Sequence, residues 1–195
     1  MEFFKKLLRD AVPVLQLDKT AMLAIATNKS HTLAACGVFI GPHLVNFILA
    51  AFTFGGGFKS AIFSRFLFWP MVIPVIALFT SVIFMSIVAK KWYSGRGENI
   101  GFFRVIGYSS MLLWLSVFPF FVAAFGLIDP SGLFNLIWVV AYLWMFVVAY
   151  KLLHFYHGLT KGDSATVVAI GVASYIGFQF ILGYFLVGSG YRFFI

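Results

Sequence analysis

The chain reads as an all-α, polytopic membrane protein: a bundle of five transmembrane helices with an amphipathic amino-terminal interfacial helix. Three observations predict this class. Of 195 residues, 62% are hydrophobic and only 10% carry a formal charge, against roughly 45–50% and about 25% in soluble domains. A mean hydropathy of +1.00 is more than one water-soluble core can hide, and it is the opposite of a disordered chain. The charges are also clustered, leaving five uncharged intervals of 29, 24, 24, 21 and 28 residues. About 20 apolar residues cross about 30 Å of hydrocarbon. Each interval therefore holds one span, and none holds two.

Residues 1–30 form the first unit. Lys5, Lys6, Arg9, Asp10, Asp18, Lys19 and Lys29 interrupt its apolar residues, so it lacks the clean apolar stretch of a secretory signal. Phe3, Phe4, Leu7, Leu8, Ala11, Val12 and Leu15 recur at helical spacing, with Lys5, Lys6 and Arg9 elsewhere. That pattern suits a helix in the membrane interface, its basic residues toward anionic head groups. Pro13 is expected to bend or end it, and a second short amphipathic piece is expected over 17–27. Together they lid the bundle; a partner-docking surface is the alternative.

Residues 31–195 form the membrane unit, with spans expected at 33–54, 66–89, 105–128, 133–150 and 165–187. Consecutive glycines at 55–57 end the first span. Asp129, Pro130, Ser131 and Gly132 form a tight turn, making the third and fourth helices antiparallel. Gly158 reads as a helix C-terminal cap, and Asp163 or Ser164 as the cap of the fifth helix. Ala169, Ala173 and Gly177 make a small-residue stripe that lets another backbone approach. A neighbour in the same chain is the expected contact, a homodimer face the alternative. Pro70, Pro74 and Pro119 imply bent helices, and Cys36 has no second cysteine to pair with.

Orientation follows the basic residues flanking the spans. The amino-terminal segment, the second-to-third connection (Lys90, Lys91, Arg96, Arg104) and the fourth-to-fifth connection (Lys151, Lys161) hold eleven; the opposite side holds three, Lys59, Arg65 and Arg192. The amino terminus is thus expected in the cytoplasm and the carboxyl terminus outside or luminal. The net charge of +8 then marks orientation and contact with anionic lipid rather than nucleic acid. Lys90, Lys91, Arg96 and Arg104 are the candidate lipid-facing residues.

Chemistry-bearing patterns are sparse. No Asp, Glu, Lys or Arg falls well inside an expected span, which argues against a proton-coupled pump or voltage sensor. Zinc-protease, nucleophile-elbow and phosphate-loop motifs are not found, so no enzyme, cofactor or metal is expected. His43, beside Pro42 and one turn from Asn46, is read as a hydrogen-bonded packing residue. His154 and His157 share a helix face without a carboxylate or cysteine to complete a metal site.

The segment Gly101-Phe102-Phe103-Arg104-Val105-Ile106-Gly107-Tyr108-Ser109 and the turn His157-Gly158-Leu159-Thr160-Lys161-Gly162 resemble two segments of the Yip domain family, Ypt/Rab-interacting membrane proteins. The prokaryotic branch is the nearer. Trp138, Tyr150 and Lys151 fit the same resemblance, whereas the eukaryotic Asp-Leu-Tyr-Gly-Pro motif has only Gly41-Pro42 as a counterpart. The resemblance implies five spans, a prokaryotic cytoplasmic membrane, and a non-enzymatic role in membrane organisation or trafficking through protein or lipid contacts. Its candidate interaction residues are Gly107, Tyr108, His157, Gly158, Lys161 and Gly162. Partners are membrane lipids and an unidentified membrane or cytosolic protein, with a homo-oligomer open. The alternative is a small channel or transporter for a neutral or lipid-like solute, using His43.

Overall fold

Charge-free apolar runs become helices because a chain in hydrocarbon must satisfy its own backbone. The computed structural model describes residues 2–54, 65–119 and 130–187. In chain order these form α1 (Glu2–Leu15), α2 (Lys19–Thr27), a 3-10 turn (Lys29–His31), α3 (Thr32–Phe54) and α4 (Arg65–Tyr93). Then follow α5 (Asn99–Ser109), continuing as a 3-10 helix (Ser110–Val117), α6 (Pro130–Phe155) and α7 (Lys161–Leu186). There is no strand among the described residues. Among the described residues, five segments are long and apolar enough to cross a membrane: Lys29–Leu49, Val72–Tyr93, Asn99–Val117, Gly132–Phe155 and Lys161–Leu186. The expected features at 55–57, Lys59 and Arg192 lie outside the described residues, as does Asp129. The rest of the turn expected at 129–132 is instead helical, with Pro130, Ser131 and Gly132 opening α6, where a proline is tolerated in the first turn.

The centre of the molecule is α5. Every residue from Gly101 to Ser109 is buried, and α1, α2, α3, α4 and α6 all pack on this helix. Close approach needs small residues at the crossings. A Cβ on Gly107 would lie 2.8 Å from the Ala35 carbonyl oxygen, and one on Gly101 would lie 2.7 Å from that of Ala26. Leu7, Ala11 and Val14 of α1, and Met22, Ile25 and Ala26 of α2, are buried in the same core.

Ser110 begins an unusually long 3-10 run, since such helices seldom exceed three or four residues. Its serines supply a reason. The hydroxyls of Ser109 and Ser110 donate to the carbonyls three residues back, Ile106 at 2.7 Å and Gly107 at 2.6 Å. Ser116 does the same to Leu113. Such back-bonding draws the carbonyls away from regular α geometry.

Several sequence expectations are revised. The third span begins at Asn99, six residues before the expected 105, and takes Arg104 into the core. Pro13 does not end α1, which runs to Leu15; the chain turns after it at Leu17, where φ is +61°. The cap of α7 is Thr160 rather than Asp163 or Ser164: its hydroxyl accepts from the Asp163 amide at 3.2 Å and donates to the Asp163 carboxylate at 2.6 Å. Asp163 thus sits in the first turn, where a carboxylate suits the helix dipole. Gly158 keeps its expected role, with φ at +72° just past α6.

Among the described residues, the stripe of Ala169, Ala173 and Gly177 does not make the close helix contact expected of it. Ala169 and Ala173 are exposed, and a Cβ on Gly177 would meet nothing within 4 Å. The α4 contact lies two residues along, about 200° around the helix. There Gly171 packs under Met85, the Ser81 hydroxyl donates to the Gly171 carbonyl at 2.5 Å, and the Ser174 hydroxyl donates to Ser81 at 3.1 Å.

A Gly107→Val change should cost about 1–3 kcal/mol, because the added carbons meet backbone that cannot yield. Gly37 lies on α3 with nothing within 4 Å of an added Cβ, so Gly37→Val should leave the thermal midpoint in detergent within a degree or two. Equal midpoints for the two variants would show that α3 and α5 do not cross this closely.

Candidate functional site

The two loops singled out from sequence meet in space. The 90–104 connection and the 154–163 turn are joined by the Arg96 amide donating to the His157 carbonyl at 3.1 Å. The Glu98 amide also donates to the Tyr156 hydroxyl at 3.1 Å. Gly95 and Gly97 let them close: a Cβ on Gly95 would sit 3.0 Å from His157 Nδ1, and one on Gly97 2.6 Å from the Tyr156 ring. Glycine is required here by close approach, not by a turn.

His157 is the buried anchor of this junction, 1% exposed. Its Nε2 lies 3.3 Å from the Ser86 hydroxyl, which itself donates to the Asn99 side-chain carbonyl at 3.0 Å. Its ring packs edge-on against Phe102 and Tyr156. Burial pushes its pKa down to about 4, and the charge of Lys90 adds to that. A neutral, fixed imidazole is a structural pin, not a free interaction residue as its motif suggested. His154 Nδ1 is engaged by the Leu159 carbonyl at 2.7 Å, so the two histidines have separate partners.

Around the pin the surface is basic and accessible. Lys90, Lys91, Arg96, Gly158, Lys161 and Gly162 are exposed. Arg104 is not. It is 3% exposed, with Nη1 donating to the Ala26 carbonyl at 2.6 Å and Nε to the Thr32 hydroxyl at 2.8 Å. Ala26 belongs to the last turn of α2, whose carbonyls lack partners and whose dipole favours a cation. Arg104 therefore clamps the end of α2 to the start of α3. It faces no lipid, contrary to expectation, and is itself a basic residue inside a span.

On the other face of α5, Tyr108 is 1% exposed and its hydroxyl lies 2.9 Å from His31 Nδ1. The His31 ring is edge-on to it at 5.6 Å, and the same nitrogen lies 3.7 Å from the Asp10 carboxylate. These groups line a cavity of about 450 Å³ between α1, α3 and the 3-10 helix. Neither His31 nor Asp10 was marked by sequence. They are 21 residues apart and meet Tyr108 only because α1 folds back onto α5.

His43, expected to be hydrogen-bonded, has no partner for either buried ring nitrogen among the described residues. Aromatic rings replace those bonds, with Trp138 edge-on at 4.8 Å and Phe39 at 6.3 Å. One turn on, Asn46 Nδ2 donates to the Ser116 hydroxyl at 2.5 Å. Among the described residues, no group of three or more His, Cys, Asp or Glu is placed to hold a metal. Comparison with protein families, with curated proteins and with solved structures finds no match.

His157 makes stability depend on pH. The unfolded imidazole takes a proton below about pH 6.5, while the buried one resists until about pH 4. Between these values the unfolded state binds more protons, so stability is full above pH 6.5 and falls as the pH drops toward 4. The thermal midpoint should therefore fall by several degrees more in wild type than in His157→Phe over this window. Parallel curves would mean that His157 is not buried as a neutral ring.

Proposed function

We propose that the chain is a non-enzymatic, Yip-like membrane protein that works by holding a protein or lipid partner on one face of the bundle. One observation supports this most: the 90–104 connection and the 154–163 turn form a single braced platform. Its rim carries Lys90, Lys91, Arg96 and Lys161, all exposed. Basic groups near an anionic surface each contribute about 1 kcal/mol. A rigid platform keeps that attraction without ordering two separate loops.

In this reading the platform is cytoplasmic, α1 lies in the adjacent interface, and the far end of the bundle is outside or luminal. Exposed Leu8 and Val12 on α1, beside Lys5, Lys6 and Arg9, suit a helix at head-group depth. The outward Ala169 and Ala173 leave a second copy of the chain as a further partner.

A photo-crosslinking residue at 96 or 161 should give the same protein or lipid adducts in repeated preparations. Changing Lys90, Lys91, Arg96 and Lys161 together to Glu should reduce them at least tenfold. Loops that yield no reproducible adduct would remove this reading.

A second reading is a conduit for a neutral or lipid-like solute, supported by the two unpartnered nitrogens of His43 deep in the bundle. Protein in liposomes should then raise solute flux or lipid scrambling, with His43→Ala changing the rate severalfold. Flux equal to empty liposomes across a broad panel would eliminate it.

A further inference from the structure

We infer that the cavity between α1, α3 and the 3-10 helix binds one phospholipid whose head group carries a primary ammonium. The cavity holds about 450 Å³, within the usual range of ligand sites. Its lining is divided. Lys6, Asp10, Ser30, His31 and Tyr108 make a polar end; Leu33, Gly37 and Trp114 are among the residues of an apolar one. Ser30 and Gly37 are seven residues apart along the start of the first span, about 10 Å of helix. The polar end therefore lies at the edge of the span and the apolar end inside it. An amphiphile standing in one leaflet has that layout.

The charges select the head group. Lys6 and Asp10 are one turn apart on the same face of α1, yet they form no ion pair with each other. Asp10 instead meets Arg9 Nε and His31 Nδ1, each at 3.7 Å. That is beyond hydrogen-bond length, so its carboxylate keeps acceptor capacity. A cation and an anion on one helix face, not paired with each other, match a zwitterion in opposite order. The lipid phosphate takes the Lys6 ammonium and the Ser30 hydroxyl, and the lipid ammonium takes Asp10. An ammonium with three N–H donors can hydrogen-bond Asp10, whereas a trimethylated one cannot. An anionic head group would bring its charge against Asp10 without return.

The apolar end is open where an acyl chain must leave. Leu33 at the mouth is 84% exposed, and a side chain added at Gly37 would meet nothing within 4 Å. Gly37 is thus the place where the cavity can be filled without disturbing the bundle.

This names a lipid for the membrane contacts proposed above and rests on the chain residing in a bilayer. It does not depend on the Lys90–Lys161 platform, so loss of crosslinks there would leave it standing. The test is native mass spectrometry of the full chain in detergent, with phosphatidylethanolamine, phosphatidylcholine and phosphatidylglycerol at equal concentration. Phosphatidylethanolamine adducts should exceed each of the others about tenfold, the ratio expected of one charged hydrogen bond. Asp10→Asn should bring the ratio to the phosphatidylcholine lipid near one, and Gly37→Leu should reduce adducts of all three. Soluble phosphoethanolamine should not compete, because it lacks the chain. Equal retention of the three lipids, preference for phosphatidylglycerol, or unchanged adducts in Gly37→Leu would overturn the inference. So would competition by the free head group. Should Gly37→Leu fail to fold, the wild-type preference and its loss in Asp10→Asn decide alone.

Discussion

A helical stretch with no exposed side sits at the middle of this bundle, and it carries a guanidinium. Residues Gly101 to Ser109 of α5 are buried on all faces, Arg104 among them. An unsatisfied buried charge costs several kcal/mol, so the fold requires acceptors at one place. They come from the last turn of α2 and the first residue of α3, through the Ala26 carbonyl and the Thr32 hydroxyl. That demand places the end of α2. α2 must end against α5, and α1 packs over both through Leu7, Ala11 and Val14. The amino-terminal helices are thus part of the core rather than an appendage.

The sides of α5 then receive different chemistry from a similar residue pair. Toward α1 a histidine meets a tyrosine hydroxyl, His31 with Tyr108, and a cavity remains beside them. Toward α4 and α6 a histidine meets a serine hydroxyl, His157 with Ser86, and glycines at 95 and 97 close the space completely. The first arrangement leaves polar groups beside room for a ligand. The second converts two loops into one rigid surface whose charges point outward.

The five spans were legible because charge spacing is a one-dimensional property, and the bilayer reads it in one dimension. Gly158 was legible for a similar reason, since a glycine after an apolar periodic run has a local cause. What failed was three-dimensional. Arg104 looked like a flanking charge because its acceptors lie 72 and 78 residues away. Ala169, Ala173 and Gly177 were the more regular small residues, but the helix is rotated so that Gly171 makes the contact. The Thr160 cap was missed because Asp163, a good cap by type, works better as its partner one turn in. The cavity as a whole gave no signal: Tyr108 stood in a marked segment, but the rest of the lining is scattered from Lys6 to Trp114.

The serine-tightened run from Ser110 to Val117 also changes how far the third span reaches. Eight residues rise about 16 Å in a 3-10 helix, against about 12 Å in an α-helix. Among the described residues the third span covers Asn99–Val117, and part of that length is given to the Arg104 clamp. The stretched geometry adds about 4 Å over these eight residues. Three hydroxyl bonds, from Ser109, Ser110 and Ser116, thus accompany a longer reach without an added residue.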